Sequence, residues 1–531
     1  MTMRIEAGSA FTRAAARFGD RTAVIDTLGS SRTYRELREC ANALGSGLIA
    51  SGAHRGDRVG VLSHNRVEVV EAWFGLERFG LVRVVLHSHF DIATHVRTIG
   101  EVGVSTLIFH EAFTAQLESV RDELTEVGTF VCIGDSCPEW AVSYEAVIAL
   151  GSQADPCLDV EEDEPCFLQL TTGTTGHPKP WIHTHRSWRA VIENNIEHLD
   201  SFGRGSTAVD GDDVNLHFHA LQWATGFQTL MPYLLRGALT VVADDSAFDP
   251  NVLLAQIIDY RVTGMLIPAP MLAPLLDIVE RDETTLPNLR KLVIFFATEE
   301  LLQRVSRILG DCWCHGYGSS EQGAPVTRLL FDDIDSEDSW ASIGRPLSFT
   351  EIRIVTVDGE PVAPGDVGEI VIRTPMAAAG YWGLPEKTSA AFFPGGWFRA
   401  GDIGSMDASG RVYYLDRAKD LIETAAGVVY PHTVEARILA HRTVANCGVT
   451  GVKTAAESAK QVVAAVVLKD GVDDADGARA AILELVAAAP EHERPVEVVI
   501  VEELPTVLGG AKVQREVLAH RLVELGVGVS V

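Results

Sequence analysis

Apolar residues recur along the chain in two patterns that alternate with each other. After Thr33 they follow a helical period, and Thr33 with Glu36 matches a capping box at the start of that helix. Short β-type runs occur between such stretches, at Val59–Leu62, Val82–Leu86, Thr106–Phe109, Leu239–Val242, Met265–Pro268 and Leu292–Phe296. Strands separated by helix-length segments predict an α/β fold with parallel sheets and crossover helices.

The pattern changes near residue 350. Three apolar runs, Glu351–Val355, Glu369–Arg373 and Arg411–Leu415, lie close together with Asp-Gly and Pro-Gly turns between them, which predicts a β-rich section. After Asp420 the alternation resumes, with strands expected near Val462–Leu468 and Val496–Val501. A chain of 531 residues is too long for one core. We therefore expect a large N-terminal domain of layered parallel α/β sheets plus the β-rich section, and a small C-terminal α+β domain.

Composition narrows the class of partner. The net charge of −29 disfavours nucleic acid and anionic membranes, because both select clustered Lys and Arg. The chain has no uninterrupted apolar run of about 18 residues, so we expect no membrane span. Its first residues lack the apolar core of a secretory signal, and its eight cysteines are scattered without zinc-ligand spacing. The expected location is the cytoplasm.

Residues 171–176 are all threonine or glycine, and Lys179 follows. Glycine exposes backbone N–H groups, threonine adds hydroxyl donors, and a lysine supplies a point charge, so the segment can hold phosphate. It follows a β-like run, Cys166–Leu170, which suits a strand-to-loop anion site. It is not the common Walker loop, because Pro178 stands where that motif would continue. The other interpretation of the residues alone is a flexible surface loop.

The order Thr-Thr-Gly-Thr-Thr-Gly-His-Pro-Lys resembles the phosphate-binding signature of the adenylate-forming superfamily, which includes acyl-CoA synthetases, peptide-synthetase adenylation domains and luciferases. Further segments resemble later signatures in the family's order: Tyr317–Glu321, Gly380–Trp382, Phe398–Asp402, Asp416–Asp420 and Leu504–Lys512. The resemblance covers nearly the full length. It implies an enzyme that activates an acid with ATP and Mg²⁺, releasing pyrophosphate.

The resemblance also implies roles for individual residues. The phosphates would be held by Thr171, Thr172, Gly173, Thr174, Thr175, Gly176 and Lys179. Tyr317, Gly318 and Ser320 would contact the base, and Asp402 and Arg417 the ribose. Thr174, Glu321 and Lys512 would be catalytic, with Glu321 also the Mg²⁺ ligand. Lys419 would be the hinge between an N-terminal domain, 1–418, and a mobile C-terminal domain, 419–531.

The predicted acid pocket departs from the family. Phe295, Phe296 and Ala297 stand where the family usually has Gly-Gly-Ala, so two phenyl rings replace two hydrogens. This favours a small or flat acid, unless the rings turn into the core. His219 falls at the family's acid gate, and Trp223 is expected to line the same pocket.

Two further departures concern the acceptor and the catalytic lysine. Ala425 and Ala426 replace glycines that approach CoA in CoA ligases, and Ala511 is an extra residue before Lys512. CoA is the default acceptor. The alternatives are transfer to an amine or a carrier protein, including a nitrite-adenylating aryl-amine diazotase, and a non-catalytic nucleotide-binding sensor.

Overall fold

A computed structural model describes residues 7–156, 160–170, 178–205, 207–453, 459–469, 471–507 and 512–527. At positions 7–9, 507 and 512 it describes the backbone only.

The α-helices begin at the N-terminus and recur through both halves of the chain. They are α1 Ala7–Phe18, α2 Tyr34–Ala50, α3 Val67–Arg78, α4 Ile92–Val102, α5 Thr114–Val120, α6 Tyr144–Leu150, α7 His185–Asp200, α8 Ala224–Leu235, α9 Pro250–Asp259, α10 Ala269–Arg281, α11 Glu299–Leu309, α12 Pro385–Ala390, α13 Pro431–Leu439, α14 Ala475–Val486 and α15 Arg515–Glu524. The predicted capping box is present at α2, where the Glu36 N–H donates to Thr33 Oγ1 and the Thr33 N–H to Glu36.

The strands alternate with these helices up to residue 346 and then cluster. They are β1 Thr22–Asp26, β2 Ser31–Thr33, β3 Arg58–Leu62, β4 Val82–Leu86, β5 Val104–His110, β6 Thr129–Ile133, β7 Val142–Ser143, β8 Pro165–Leu170, β9 Pro180–Thr184, β10 Val214–His217, β11 Leu239–Val242, β12 Gly264–Pro268, β13 Lys291–Phe295, β14 Trp313–Ser319, β15 Gly323–Leu330, β16 Arg345–Pro346, β17 Glu351–Val355, β18 Gly368–Arg373, β19 Phe392–Phe393, β20 Trp397–Met406, β21 Val412–Arg417, β22 Ile422–Thr424, β23 Gly427–Val429, β24 Val444–Lys453, β25 Lys460–Leu468, β26 Glu497–Ile500, β27 Thr506–Val507 and β28 Lys512–Val513.

Two large, mainly parallel sheets form the N-terminal part. One has the order β7-β6-β5-β3-β4-β8-β9, and the other β16-β15-β14-β13-β12-β10-β11-β1-β2. Aromatic rings from α3, α7 and α8 pack between them: the Trp73 ring centroid lies 5.4 Å from that of Trp188 and 3.4 Å from that of Phe227. Burying such rings contributes both apolar area and favourable ring geometry.

The section after residue 350 is antiparallel. Strands β17, β18, β20 and β19 pair in that order, and β21 pairs with β20. The last part of the chain contains a sheet of order β24-β25-β26 with α13, α14 and α15, plus the hairpins β22–β23 and β27–β28. The predicted α/β class with parallel sheets, the β-rich section and a C-terminal α+β domain is confirmed. In the described residues, no helix is long and apolar enough to cross a membrane.

Candidate nucleotide and acid site

The segment predicted to hold phosphate connects two paired strands. Strand β8 ends at Leu170 and β9 begins at Pro180, and these two residues are register partners in an antiparallel pair. The predicted residues Thr171, Thr172, Gly173, Thr174, Thr175 and Gly176 lie outside the described residues. The two strands therefore fix both ends of the segment. The roles of these six residues stay predictions.

Residues Gly380–Trp382, which form one of the predicted signatures, hydrogen-bond to β9, the strand that follows this segment. The Ile182 N–H donates to the Gly380 carbonyl at 2.9 Å, and the Trp382 N–H donates to the Pro180 carbonyl at 2.9 Å. Gly380 has φ +139°, and a Cβ atom there would lie 2.3 Å from the Thr388 side chain. Glycine is therefore required where the two segments meet.

Three ammonium groups converge beside β9. Partial burial, followed by repulsion from Lys387 and Lys419, lowers the pKa of Lys179. Lys179 comes directly before β9, Lys387 lies in α12, and Lys419 lies in the turn of 3₁₀ helix after β21. Because neighbouring positive charges together attract negative charge, this region suits a polyanion.

A second group of side chains lies where β14 meets the β20–β21 hairpin. The Tyr317 hydroxyl donates to Asp402 Oδ2 at 2.5 Å, and Arg417 Nε lies 3.3 Å from Asp402 Oδ1. Asp402 and Arg417 are register partners in the hairpin, which explains their proximity. Burial, with the Asp402 carboxylate, raises the pKa of Tyr317 well above its usual range. An aromatic ring, an acceptor-only carboxylate and a guanidinium are the groups that a base and its ribose require.

The turn after Tyr317 connects these two groups. Burial and then the Glu321 carboxylate raise the pKa of Tyr381 to about 12, and Glu321 also contributes to the raised pKa of Arg417. The Ser320 carbonyl accepts a 2.9 Å hydrogen bond from His183 Nε2, and a Cβ at Gly318 would lie 2.9 Å from the Ala324 Cβ. Glu321 thus stands near both Arg417 and Tyr381, and Tyr381 bridges to Trp181 in the strand that follows the predicted phosphate segment.

The predicted acid-pocket residues divide into two groups. Phe295 is buried and lines a small cavity, whose other lining residues are Asn195, His198, Leu199, Thr225, Gln228, Thr229, Leu266, Val293, Ala324 and Pro325. Phe296 instead is 52% exposed with φ +62°, and half-buried Ala297 packs on the core beneath α10 and α11. Of the two phenyl rings, only that of Phe295 lines the cavity.

The predicted gate lies next to this cavity. His219 is buried, and its Nε2 lies 3.1 Å from Oγ1 of the cavity residue Thr225. The half-buried Trp223 ring is centred 6.0 Å from the His219 ring. Burial, with repulsion from His217, lowers the pKa of His219 well below its usual range, so the imidazole is neutral.

The C-terminal segment that bears Lys512 is tied to the predicted hinge. Arg515 donates to both carboxylate oxygens of Glu435, at 3.0 Å for Nη2 to Oε2, and lies 3.9 Å from Asp420. The Lys419 ammonium is 3.6 Å from the other oxygen of Asp420. The Lys512 backbone begins β28, three residues before Arg515, whereas its side chain and Ala511 are not among the described atoms.

Sequence reasoning missed two residues of this site. Lys387 lies outside every signature, and only the fold brings it near Lys179. The other is Gln228, a buried amide in the cavity wall, which lies three positions after Thr225 on the same face of α8. The helical period of the apolar residues in α8 places Gln228 on the buried face, and this signal could have identified it.

Comparison with known proteins identifies the family of this chain. The family model for the AMP-binding enzyme matches residues 11–382, and the AMP-binding enzyme C-terminal domain matches residues 433–508. A medium/long-chain-fatty-acid–CoA ligase of Mycobacterium tuberculosis is 31% identical over 86% of this chain and 80% of its own length. The fold is similar to an anthranilate CoA ligase in complex with anthranoyl-AMP, with a TM-score of 0.89, 23% identity and coverage of 99% and 98% of the two chains. It is also similar to an amide bond synthetase from Marinactinospora thermotolerans, with a TM-score of 0.83, 24% identity and coverage of 97% and 100%.

The family match and the fold thus define an adenylate-forming ligase. The chain belongs to the AMP-binding enzyme family, within the adenylate-forming superfamily that its signatures resemble.

Proposed function

We propose that this enzyme activates a small or single-ring aromatic acid with ATP and Mg²⁺, and then transfers the acyl group, by default to CoA. The observation that carries the choice of acid is the buried Phe295 ring, which stands where the family usually has glycine and lines the small cavity beside the predicted gate. A long acyl chain would need this ring to move.

The proposed chemistry is attack of the acid's oxyanion on the α-phosphorus of ATP, with pyrophosphate as leaving group. The P–O bond to the bridging oxygen breaks as the new P–O bond to the acid forms. Little covalent work falls to the protein, so rate comes from alignment and charge stabilisation. Tyr317, Asp402 and Arg417 would hold the nucleoside, while Lys179 and the threonines of the preceding segment would hold the phosphates.

Glu321 and Lys512 would stabilise the negative charge on the reacting phosphates. Glu321 offers a hard oxygen ligand beside the phosphate segment, so it fits Mg²⁺, which neutralises phosphate charge when bound. Lys512 would bridge the acid and the α-phosphate. Its predicted role as the catalytic lysine requires the C-terminal domain, 419–531, to turn about Lys419.

The cavity wall adds a second restriction on the acid. Gln228 is buried, and among the described residues its Oε1 accepts no hydrogen bond; the same holds for His198 Nδ1. An unsatisfied buried acceptor costs about 1–3 kcal/mol, which a donor on the ligand would offset. We therefore favour an acid that carries a hydroxyl or amino group away from its carboxylate.

One observation favours a different acceptor. Ala425 and Ala426 form the exposed turn of the β22–β23 hairpin, and neither is among the residues with left-handed φ. Thr424 Oγ1 donates to the Gly427 carbonyl at 2.7 Å and accepts from the Ala426 N–H at 3.2 Å, which fixes this turn. The methyl groups of Ala425 and Ala426 would leave less room for the pantetheine arm of CoA to approach this turn. The second candidate is therefore transfer to an amine or a carrier protein, the nitrite-adenylating aryl-amine diazotase included.

The test is ATP-dependent pyrophosphate release over a panel of small and aromatic acids, nitrite included, with CoA, with aryl amines and without acceptor. CoA-stimulated release with an acyl-CoA product supports the default. Release that ignores CoA but yields an amide or diazo product supports the second candidate. ATP binding without release under every condition would overturn both and support the sensor. A425G/A426G should raise only a CoA-dependent rate.

A further inference from the structure

Four side chains with metal-ligand atoms meet at the seam between the two large sheets. His64 and His89 follow β3 and β4 of the seven-stranded sheet, and Asp244 and Asp245 follow β11 of the nine-stranded sheet. In parallel α/β sheets, ligands bind in the crevice outside the carboxyl ends of the strands, and all four residues lie at such ends. The cluster is separate from the nucleotide group around Asp402.

Their separations match a coordination shell. His64 Nδ1 lies 3.3 Å from Asp245 Oδ1, and His89 Nε2 lies 3.5 Å from Asp245 Oδ2. Ligand atoms of His64, Asp244 and Asp245 all lie within 4.8 Å of one another. Zinc bonds of about 2.0–2.2 Å at tetrahedral angles place ligand atoms roughly 3.3–3.6 Å apart.

We propose that His64, His89, Asp244 and Asp245 form a binding site for one divalent transition-metal ion of the Zn²⁺ class. Imidazole nitrogen mixed with carboxylate oxygen favours such ions, whereas Ca²⁺ and Mg²⁺ prefer oxygen alone. This site does not depend on the proposed acid or acceptor.

The carboxylates are oriented by further hydrogen bonds, as metal ligands usually are. Asp245 Oδ1 accepts from the Asn65 N–H at 2.7 Å and Oδ2 from the Ser88 hydroxyl at 3.4 Å. Asp244 accepts from the Ser246 N–H at 3.2 Å and from its hydroxyl at 2.6 Å.

Asn65 links the site to the predicted acid gate. Its amide donates to the His219 carbonyl at 2.8 Å and the Ala243 carbonyl at 3.0 Å, and its Oδ1 accepts from the Leu221 N–H at 2.7 Å. Residues 219–221 lead into α8, which lines the cavity. A metal ion on Asp245 would therefore brace the segment that positions the cavity wall.

The test is titration of tag-free, chelator-treated full-length protein with Co²⁺ and Zn²⁺ in excess Mg²⁺. We expect one equivalent of Co²⁺ with visible d–d absorption, displaced by Zn²⁺, and a rise in the melting temperature with Zn²⁺. The double variant H89A/D244N alters two exposed positions, so it should fold.

In the double variant, the affinity for Co²⁺ should fall by at least about tenfold, the scale of effects for residues that support a metal site. H64A should show the same loss. The control is H54A, because the His54 imidazole is 84% exposed and 3.8 Å from a single carboxylate, Asp57. Absence of stoichiometric binding, or binding that the double variant and H64A leave unchanged, would overturn the proposal.

Discussion

The Tyr317 hydroxyl donates a hydrogen bond of 2.5 Å to the Asp402 carboxylate, which joins β14 of the nine-stranded sheet to β20 of the β-rich section. Asp402 is 3% exposed, and its second oxygen faces Arg417. If Asp402 accepts both ribose hydroxyls of ATP, the tyrosine hydroxyl occupies one of the oxygens that the ribose needs. This competition can be measured.

The variants Tyr317→Phe and Asp402→Asn should therefore differ. Tyr317→Phe frees a carboxylate oxygen, so KM for ATP should fall or stay within about threefold, although losing a buried hydrogen bond costs about 1–3 kcal/mol of stability. Asp402→Asn replaces an acceptor oxygen with a donor, and KM for ATP should rise by at least about tenfold, a loss of roughly 1.4 kcal/mol. Equal losses in the two variants, measured by steady-state pyrophosphate release, would contradict the assignment of Asp402.

The two adjacent phenylalanines should have opposite effects. Phe295→Ala enlarges the cavity and should cost about 3–5 kcal/mol of stability, while larger acids become substrates. Phe296→Gly is the matched control, because Phe296 is exposed and has φ +62°. Relief of the left-handed strain should stabilise the protein by up to about 1 kcal/mol without a change in acid range. Chemical denaturation and an acid panel measure both. If only Phe296→Gly accepted a broader range of acids, Phe296 and not Phe295 would be the ring that limits the acid pocket.

The lysine group predicts a pH dependence with a defined sign. Burial and then Lys387 and Lys419 lower the pKa of Lys179, so Lys179 loses its proton at a lower pH than an ordinary lysine. ATP should bind less tightly above that pH. Lys387→Met removes a repelling charge, raises the pKa of Lys179 and should move the weakening of ATP binding to higher pH. Calorimetric ATP affinity across alkaline pH measures this, with exposed Lys469→Met as control. A shift to lower pH would contradict the proposed contact.

The buried ion pair in the C-terminal domain should be needed for its stability. The side chains of Arg515 and Glu435 are 13% and 8% exposed. Glu435→Gln would leave the buried guanidinium with the more distant Asp420 carboxylate, 3.9 Å away, so the loss should lie at the lower end of the about 3–5 kcal/mol that breaking a buried pair typically costs. Glu503→Gln is the control, since Glu503 is 80% exposed at 3.5 Å from Arg521 and should change stability by less than about 0.5 kcal/mol. Hydrogen exchange of the β24 and β25 amides measures the stability of both variants, and exchange should be faster in Glu435→Gln. Similar exchange rates in the two variants would refute the stabilising role of the ion pair.

Local sequence signals predicted the sheets well because each depends on residues that are close in the chain. The runs at Val82–Leu86 and Leu239–Val242 are strands with those bounds. The run Leu292–Phe296 ends one residue early, because the chain turns left-handed at Phe296. Apolar character alone does not encode a positive φ, and a phenylalanine disfavours one.

The site was predictable where a signature holds its residues together and not where the fold assembles them. Tyr317, Asp402 and Arg417 come from signatures, and the structure brings all three into contact. Lys387 and the cluster of His64, His89, Asp244 and Asp245 come from segments far apart in the chain, so no spacing along the sequence connects them. The positions of the phosphate-segment residues and of the Lys512 side chain remain predictions.

The central claim is that this site forms an acid adenylate. The most direct measurement is mass-spectrometric detection of the acid–AMP adduct in reactions with ATP, Mg²⁺ and a panel of small acids, without acceptor, for the wild type and Lys512→Ala. We expect an adduct for at least one small acid in the wild type. We also expect Lys512→Ala to fold, bind ATP and lose most of the adduct. Absence of an adduct for every acid while ATP binds, or equal amounts in both proteins, would show that this site does not form an adenylate with the help of Lys512.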